Sequence, residues 1–183
     1  MKIGKVVSTI KLVEVTCQEA INSIRADVHK HKLLIFKNQG VISGDKHVEI
    51  SKWFGDMEST FYKHPKSPHP DVFRVSNDES EGCTRVGNTG MTEGFIVDKG
   101  TEKEQYTSDM ETIGILKDIH KEIVKDDRRL IYSHKWEEGD FIISDNLAVG
   151  HEATPETQYP VSDVGLRILH RTTVKGTTFP SKS

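Results

Sequence analysis

The stretch GLRILHRTTVKG, residues 165–176, carries the pattern that decides how the C-terminal part of the chain folds. Its residue types alternate as they do in a β-strand, where residues two apart point to the same face. Arg167, Leu169 and Arg171 therefore share one face of the predicted strand, and His170 points to the other. If protein covers both faces, two arginines enter the interior side by side.

Two arginines on a covered face need an anionic partner, because an unpaired buried charge costs several kcal/mol. Few acidic residues lie near Arg167 and Arg171 on this strand. A bound carboxylate, held by the planar guanidinium fork, would supply the missing charge. The alternative is an edge strand whose arginines stay in water, and strand periodicity alone does not choose between the two.

Helical spacing of apolar residues predicts three helices, at about 17–30, between Ser43 and Gly55, and at about 109–125. Their starts are marked by N-cap residues, in two cases with a glutamate three residues later, namely Thr16 with Glu19, Ser43, and Ser108 with Glu111.

Strands are predicted at LLIF, residues 33–36, at VFRVS, residues 72–76, and through a β-rich remainder that starts with RLIYSHKW, residues 129–136. His134, within the last of these, is expected to pack or hydrogen-bond on its strand. Helices near the front and strands clustered at the back predict an α+β chain with an antiparallel sandwich as its core.

The composition excludes several classes of function. Charged residues make up 29% and hydrophobic residues 34% of 183 residues, which is typical of a soluble domain with a lean core. A net charge of -3 without a basic run argues against binding to nucleic acid or to a membrane surface. The apolar runs are too short for a membrane span or a secretory signal. Two cysteines without metal-ligand spacing indicate a reducing compartment, and the cytoplasm is expected.

His151 lies in SDNLAVGHEA, residues 144–153, where it follows a predicted strand and a turn. A lone histidine at such a place is more often structural than a metal ligand. Four other histidines, His29, His31, His47 and His64, are interpreted as surface or interface groups. His151 differs from them because two arginines with a spacing of four residues follow it along the chain.

Residues 136–176, WEEGDFIISDNLAVGHEATPETQYPVSDVGLRILHRTTVKG, contain in order W-x-x-G-D, D-N, His151 and R-x-x-x-R. This segment resembles the C-terminal half of the Fe(II)- and 2-oxoglutarate-dependent dioxygenases of the taurine dioxygenase (TauD/TfdA) family. Residues 33–55, LLIFKNQGVISGDKHVEISKWFG, resemble the opening strand and helix of the same family. The resemblance thus covers both halves of the chain.

The resemblance implies a double-stranded β-helix, or jelly roll, with helices packed outside it. It implies a single domain over residues 1–176, followed by a tail at 177–183. The implied activity is that of an oxidoreductase, which uses Fe(II) and the cosubstrate 2-oxoglutarate to hydroxylate or otherwise oxidise a small anionic substrate, with release of succinate and CO2. Two histidines and one carboxylate hold the iron in this family.

Residue by residue, the resemblance makes His151 the distal iron ligand and Arg167 the group that binds the far carboxylate of 2-oxoglutarate. Arg171 corresponds to an arginine that faces an anionic substrate group in taurine dioxygenase, and Asn88 to a position in the substrate pocket. The implied partner is therefore a small molecule, and a homo-oligomer remains open. No catalytic residue is assigned.

The stretch RVGNTGMTEGF, residues 85–95, departs from the family pattern. Close relatives follow GNTG with W-H-x-D, which supplies the other two iron ligands, whereas here Met91 follows Gly90 and begins a segment that resembles a much later part of the family. His69-Pro70-Asp71 has the spacing of H-x-D but lies in a proline-rich turn, so no replacement site is expected.

An internal segment missing between Gly90 and Met91 would leave the jelly roll incomplete and this chain impaired or inactive as an enzyme. The alternative is a non-catalytic remnant or isoform that binds a carboxylate or a partner protein.

Overall fold

The structure is a computed structural model, and it describes residues 3–58, 63–84, 96–97, 105–128, 130–151 and 159–176. Asn88, the Gly90–Met91 junction and the tail at 177–183 lie outside these residues. The chain divides into two compact units. The first contains Met1–Ile3 and Val86–His134, and the second contains Gly4–Arg85 and Lys135–Ser183.

The core of the second unit is a three-stranded sheet with the order β1, β2, β6, formed by Lys5–Val7, Leu33–Phe36 and Phe141–Ser144. The central strand β2 runs parallel to β1 and antiparallel to β6. Leu34, Ile35 and Phe36 are all fully buried, so both faces of β2 are covered. This confirms the buried strand that the run LLIF predicts.

Helix α1, Gln18–His31, packs Ile24 and Val28 into the same core. The helix confirms the predicted range, but its N-cap is Cys17 and forms no side-chain capping bond, so the capping box expected at Thr16 is wrong. The helix ends at Lys32, which takes a left-handed conformation with φ 64° and donates its N–H to the carbonyl of Val28. A short 3-10 helix at Leu12–Glu14 precedes α1.

Helix α2, Gly44–Lys52, begins where the sequence predicts, because the Ser43 hydroxyl accepts the N–H of Lys46 at 3.3 Å. Its first residue, Gly44, is buried and lies against the backbone of Pro68 and the Cβ atom of His69. This close approach leaves no space for a side chain at position 44.

A second sheet pairs β3, Phe73–Ser76, with β7, Ile168–Arg171, in antiparallel fashion. Both strands confirm predicted ones. The short helix α4, Val161–Val164, comes between β6 and β7 in the chain. Gly165 ends it with φ +78°, a conformation that side-chain-bearing residues rarely adopt.

The first unit contains the hairpin of β4, Ile96–Val97, with β5, Gln105–Tyr106, and the helix α3, Asp109–Arg128. The capping box at the start of α3 is confirmed, because Glu111 accepts the backbone N–H of Ser108 at 2.9 Å and the Ser108 hydroxyl accepts the N–H of Glu111. The Ser108 hydroxyl also donates to the Glu111 carboxylate at 2.7 Å, and this bond, together with the bond from the Ser108 N–H, lowers the pKa of the Glu111 carboxyl.

The β-rich remainder is shorter than predicted, because the described residues 130–138 contain no strand. His134 instead meets the hydroxyl of Tyr132 at 2.9 Å through Nδ1, outside any strand. β-branched and aromatic residues favour a strand only where a neighbouring strand is available to pair with them. Four helices and three small sheets still confirm the α+β class in the described part of the chain.

None of the helices within the described ranges combines the length and the apolar character that a membrane crossing requires.

Replacing Gly44 by alanine is expected to lower the free energy of unfolding by about 1–3 kcal/mol, because the new methyl group would overlap the backbone of Pro68. The matched control is Gly114→Ala in α3, where no atom lies within 4 Å of the added methyl group. Alanine favours helix over glycine, so the control should be neutral or stabilising by up to about 1 kcal/mol. Urea denaturation of both variants measures the difference, and equal effects would contradict the packing described at Gly44.

Candidate functional site

Strand β7 has two chemically different faces, and its register against β3 fixes them. Phe73 is paired with Arg171 and Arg74 with His170. Side chains of directly paired residues lie on the same face of a sheet. Arg171 therefore shares one face, here called the front face, with Phe73 and Leu169. His170 and Arg74 share the opposite back face.

The arginines predicted as an anion site are both half-buried. Arg167 comes directly before β7, and burial lowers the pKa of its guanidinium. Neither Arg167 nor Arg171 forms an ion pair with an acidic side chain in the described part of the chain. Two half-buried guanidinium groups without an acidic partner among the described residues are therefore the feature that distinguishes this part of the chain chemically.

His151 is positioned by the turn that follows β6, as the sequence predicts. Asp145 organises this turn, because its carbonyl accepts the N–H groups of Ala148 and Val149 at 3.0 and 3.1 Å. The Asp145 carboxylate accepts the N–H of Leu147 at 3.2 Å, and the Asp145 N–H donates to the carbonyl of Lys32 at 2.9 Å. The end of α1 thus holds the turn that leads to His151.

The structure brings His151 into electrostatic range of Arg171. Burial lowers the pKa of His151 from 6.5, and the positive charge of Arg171 lowers it further. The imidazole is therefore neutral at neutral pH, with a lone pair free to accept a hydrogen bond or bind a metal. This relation confirms neither role, but it places His151 and the predicted substrate arginine in one neighbourhood.

On the back face, Arg74 connects β3, β7 and the loop after β3. Its Nη1 atom lies 3.0 Å from Nε2 of His170, and its Nη2 atom donates to the carboxylate of Glu81 at 3.3 Å. A guanidinium can only donate, so Nε2 of His170 must accept and the proton of that ring lies on Nδ1. Burial and, next, the charge of Arg74 lower the pKa of His170.

Helix α2 covers the same back face, where its residues His47 and Ser51 contact Thr172, the residue directly after β7. The Ser51 hydroxyl donates to the carbonyl of His47 at 2.8 Å, so it accepts from the Thr172 hydroxyl at 2.7 Å. Thr172 then accepts from Nε2 of His47 at 3.3 Å, and this ring also packs on Phe141 with a centroid distance of 4.9 Å. The sequence interprets His47 as a surface or interface group, and the surface alternative is wrong because its ring packs inside the second unit.

No three side chains of histidine, cysteine, aspartate or glutamate come together as a metal site within the residues that the structure describes. His69-Pro70-Asp71 lies in a turn, as the sequence predicts, and the Nδ1 atom of His69 accepts the backbone N–H of Asp71 at 2.9 Å. Of the residues predicted to bind iron, the cosubstrate or the substrate, the described part of the chain contains His151, Arg167 and Arg171.

Sequence reasoning missed two residues that shape this site, Asn77 and Arg74. Asn77 accepts the backbone N–H of Arg167 at 2.9 Å across 90 residues of chain. Arg74 reaches His170 across 96 residues. A polar residue at the end of the VFRVSN stretch signals a turn, but it gives no indication of such distant partners.

No protein-family model and no curated protein sequence matches the chain. Among solved structures, a taurine dioxygenase from Burkholderia xenovorans is similar over 96% of this chain and 88% of that chain, with a TM-score of 0.67 and 16% identity. AAD-2, solved in complex with Mn(II) and N-oxalylglycine, is similar over 96% of this chain and 94% of that chain, with a TM-score of 0.55 and 14% identity. The chain shares the fold of these two proteins.

A candidate alpha-ketoglutarate-dependent taurine dioxygenase from the same organism is 26% identical over 42% of this chain, which spans 27% of that protein at a TM-score of 0.37. That partial match carries no argument about the fold. These likenesses show the fold of the chain, and they do not show its activity, its substrate or its cofactors.

Acid is expected to destabilise the chain through His47. The pKa of His47 is lowered to about 4, chiefly by burial and next by His170. The unfolded chain binds this proton at higher pH, so the free energy of unfolding falls as the pH drops from about 6.5 towards 4. Between about pH 7.5 and pH 5 the loss from this group is about 2 kcal/mol. Urea denaturation at both pH values measures it.

The variant His47→Gln tests this assignment, because glutamine can donate to Thr172 without titrating in this range. Its stability should depend less on pH by that amount. The exposed His29 on α1 provides the matched control, and His29→Gln should keep the pH dependence of the wild type. An unchanged pH dependence in His47→Gln would contradict a buried neutral His47.

Proposed function

We propose that the front face of β7 binds 2-oxoglutarate, with Arg167 on its far carboxylate and Arg171 facing an anionic group of a small substrate. The supporting observation is that two half-buried guanidinium groups lack an acidic partner within the described residues. Arginine binds a carboxylate through two parallel hydrogen bonds, which offset the cost of its desolvation. A dicarboxylate fits this requirement better than a neutral ligand does.

The proposed class of activity is oxidation of a small anionic compound by an Fe(II)- and 2-oxoglutarate-dependent dioxygenase, with succinate and CO2 as further products. It rests on the fold shared with taurine dioxygenase and AAD-2, and on the resemblance of residues 136–176 to that family. Bound iron and 2-oxoglutarate would supply the oxidising chemistry. This chain's own residues would bind the carboxylates and orient the substrate.

The described residues do not fit the iron centre of such an enzyme. His151 has the neutral ring that a ligand needs, but within the described ranges it belongs to no group of three side chains that could hold a metal ion. Selective Fe(II) binding requires the complete set of two histidines and one carboxylate. We therefore assign no reaction step to iron in this chain and propose that the chain is impaired as an enzyme.

The proposed cause is an internal segment missing between Gly90 and Met91, which would also leave the jelly roll incomplete. In support, β7 pairs with β3 in a sheet that has two strands among the described residues, whereas a jelly roll is built from two larger sheets. Sequencing the parent transcript and gene across codons 88–93 tests this. A continuous gene without a skipped segment would contradict it.

A second candidate function is a non-catalytic module that binds a carboxylate or a partner protein. The retained arginines favour it, because they can bind an anion whether or not iron is present. It shares the carboxylate ligand of the first proposal, but it makes binding itself the function of the chain and assigns it no oxidation reaction.

Arg167→Gln is expected to weaken binding of 2-oxoglutarate by about tenfold or more, because a charged hydrogen-bonding partner of the carboxylate is removed. Isothermal titration calorimetry with 2-oxoglutarate, and with N-oxalylglycine as a dicarboxylate that cannot be decarboxylated oxidatively, measures the effect. The control is Arg25→Gln on α1, which should bind like the wild type. Equal affinities of the wild type and Arg167→Gln would contradict the proposed site.

The chain is expected to form no succinate when it is supplied with Fe(II), 2-oxoglutarate and oxygen, because the described residues provide only one iron ligand. Chromatographic assay of succinate over a panel of small anionic substrates measures this. The variant His151→Ala should be indistinguishable from the wild type in the same assay. Turnover by the wild type that disappears in His151→Ala would show a competent iron centre and contradict the proposed impairment.

A further inference from the structure

The segment that leads into Arg167 is not held by hydrophobic burial. Every residue from 159 to 166 is exposed. Its large apolar side chains are between 36% and 52% exposed, namely Tyr159, Val161, Val164 and Leu166. Burial of apolar surface is the main source of stability for a packed segment, and here that source is small. Polar contacts must therefore fix the path of the chain towards Arg167.

Asn77, the residue directly after β3, makes those contacts. Its side-chain oxygen accepts the backbone N–H of Arg167 at 2.9 Å. Its side-chain nitrogen donates to the carbonyl of Gly165 at 3.0 Å and to the carbonyl of Tyr159 at 3.3 Å. One amide thus joins both ends of the segment that contains α4 to the end of β3.

The orientation of the Asn77 amide follows from its partners. The partner of Oδ1 is an N–H group, and both partners of Nδ2 are carbonyl oxygens. Rotating the amide by half a turn would place an oxygen against two carbonyls and an NH2 group against an N–H, with all three bonds lost. Among neutral side chains only glutamine carries the same planar group, and its side chain is one methylene longer.

We infer that Asn77 is a positioning residue for the carboxylate site. It fixes the backbone from which the Arg167 side chain leaves, so that this guanidinium is already in place when the anion arrives. Preorganisation of this kind raises affinity because the ordering cost is met before binding. The inference rests on the proposed binding of 2-oxoglutarate at Arg167, but the backbone contact itself can be tested without any ligand.

A general structural role of Asn77 would have a different signature. The pairing of β3 with β7 is set by four residue pairs and by the contact of Arg74 with His170, none of which includes Asn77. Loss of Asn77 should therefore free residues 159–167 while the sheet remains intact. Local amide exchange and ligand affinity should change more than the stability of the whole chain.

The first experiment measures amide hydrogen exchange in the unliganded chain by NMR. In Asn77→Ala, the Arg167 amide should exchange about tenfold faster or more, because its acceptor is removed. In Asn77→Asp the acceptor oxygen is kept, so the Arg167 amide should regain most of its protection. Asn22→Ala, which removes a local contact with Gln18 on α1, is the control and should leave Arg167 unchanged. Unchanged exchange at Arg167 in Asn77→Ala would overturn the inference.

The second experiment measures the affinity for 2-oxoglutarate by calorimetry. Asn77→Ala should bind about fivefold to tenfold more weakly than the wild type, with a melting temperature close to it. A wild type that binds while Asn77→Ala binds equally well overturns the positioning role and leaves the proposed function standing. A wild type that does not bind, but whose Arg167 amide loses protection in Asn77→Ala, contradicts the proposed function and supports the backbone contact.

Discussion

The contact between Arg74 and His170 is the constraint on which the candidate site depends. Both side chains lie on the back face of the β3–β7 sheet, paired directly across the strands. A shift of the register by one residue would send every side chain of β7 to the opposite face. Arg171 would then point towards α2, and the front face would lose its cation. The guanidinium of Arg74 prevents this, because Glu81 and the neutral ring of His170 hold it from both sides.

The parts of the fold that could be predicted are those whose signals are local. Ser43 caps α2 within one turn, and Ser108 with Glu111 begins α3, because a capping residue and its partner are only three positions apart. The strand LLIF was predictable from its composition, since an unbroken apolar run must be covered on both faces. The stretch at 130–136 has similar residue types, and it forms no strand, because β-structure depends on a partner that local sequence cannot reveal.

The candidate site was predictable in a different way. Arg167 and Arg171 are each two positions from Leu169, so strand alternation suggests that they share a face, whereas the role of His151 came from resemblance and not from spacing. The contacts that keep these residues in place were hidden, because Asn77 is separated by 82 to 90 residues from the groups that it binds. Only the pairing of β3 with β7 brings them together, and no local pattern records it.

Protonation of the histidines on the back face of the sheet also affects the position of Arg171 on the front face. The back face tolerates Arg74 because His170 and His47 are neutral, and burial of both rings keeps them so. A proton on Nε2 of His170 would turn an acceptor into a second donor facing Arg74, and it would add a like charge in a partly buried place. Protonation of His170 would therefore weaken the contact with Arg74 that fixes the register of β3 against β7. The orientation of Arg171 on the front face therefore depends on neutral histidines whose side chains lie on the back face.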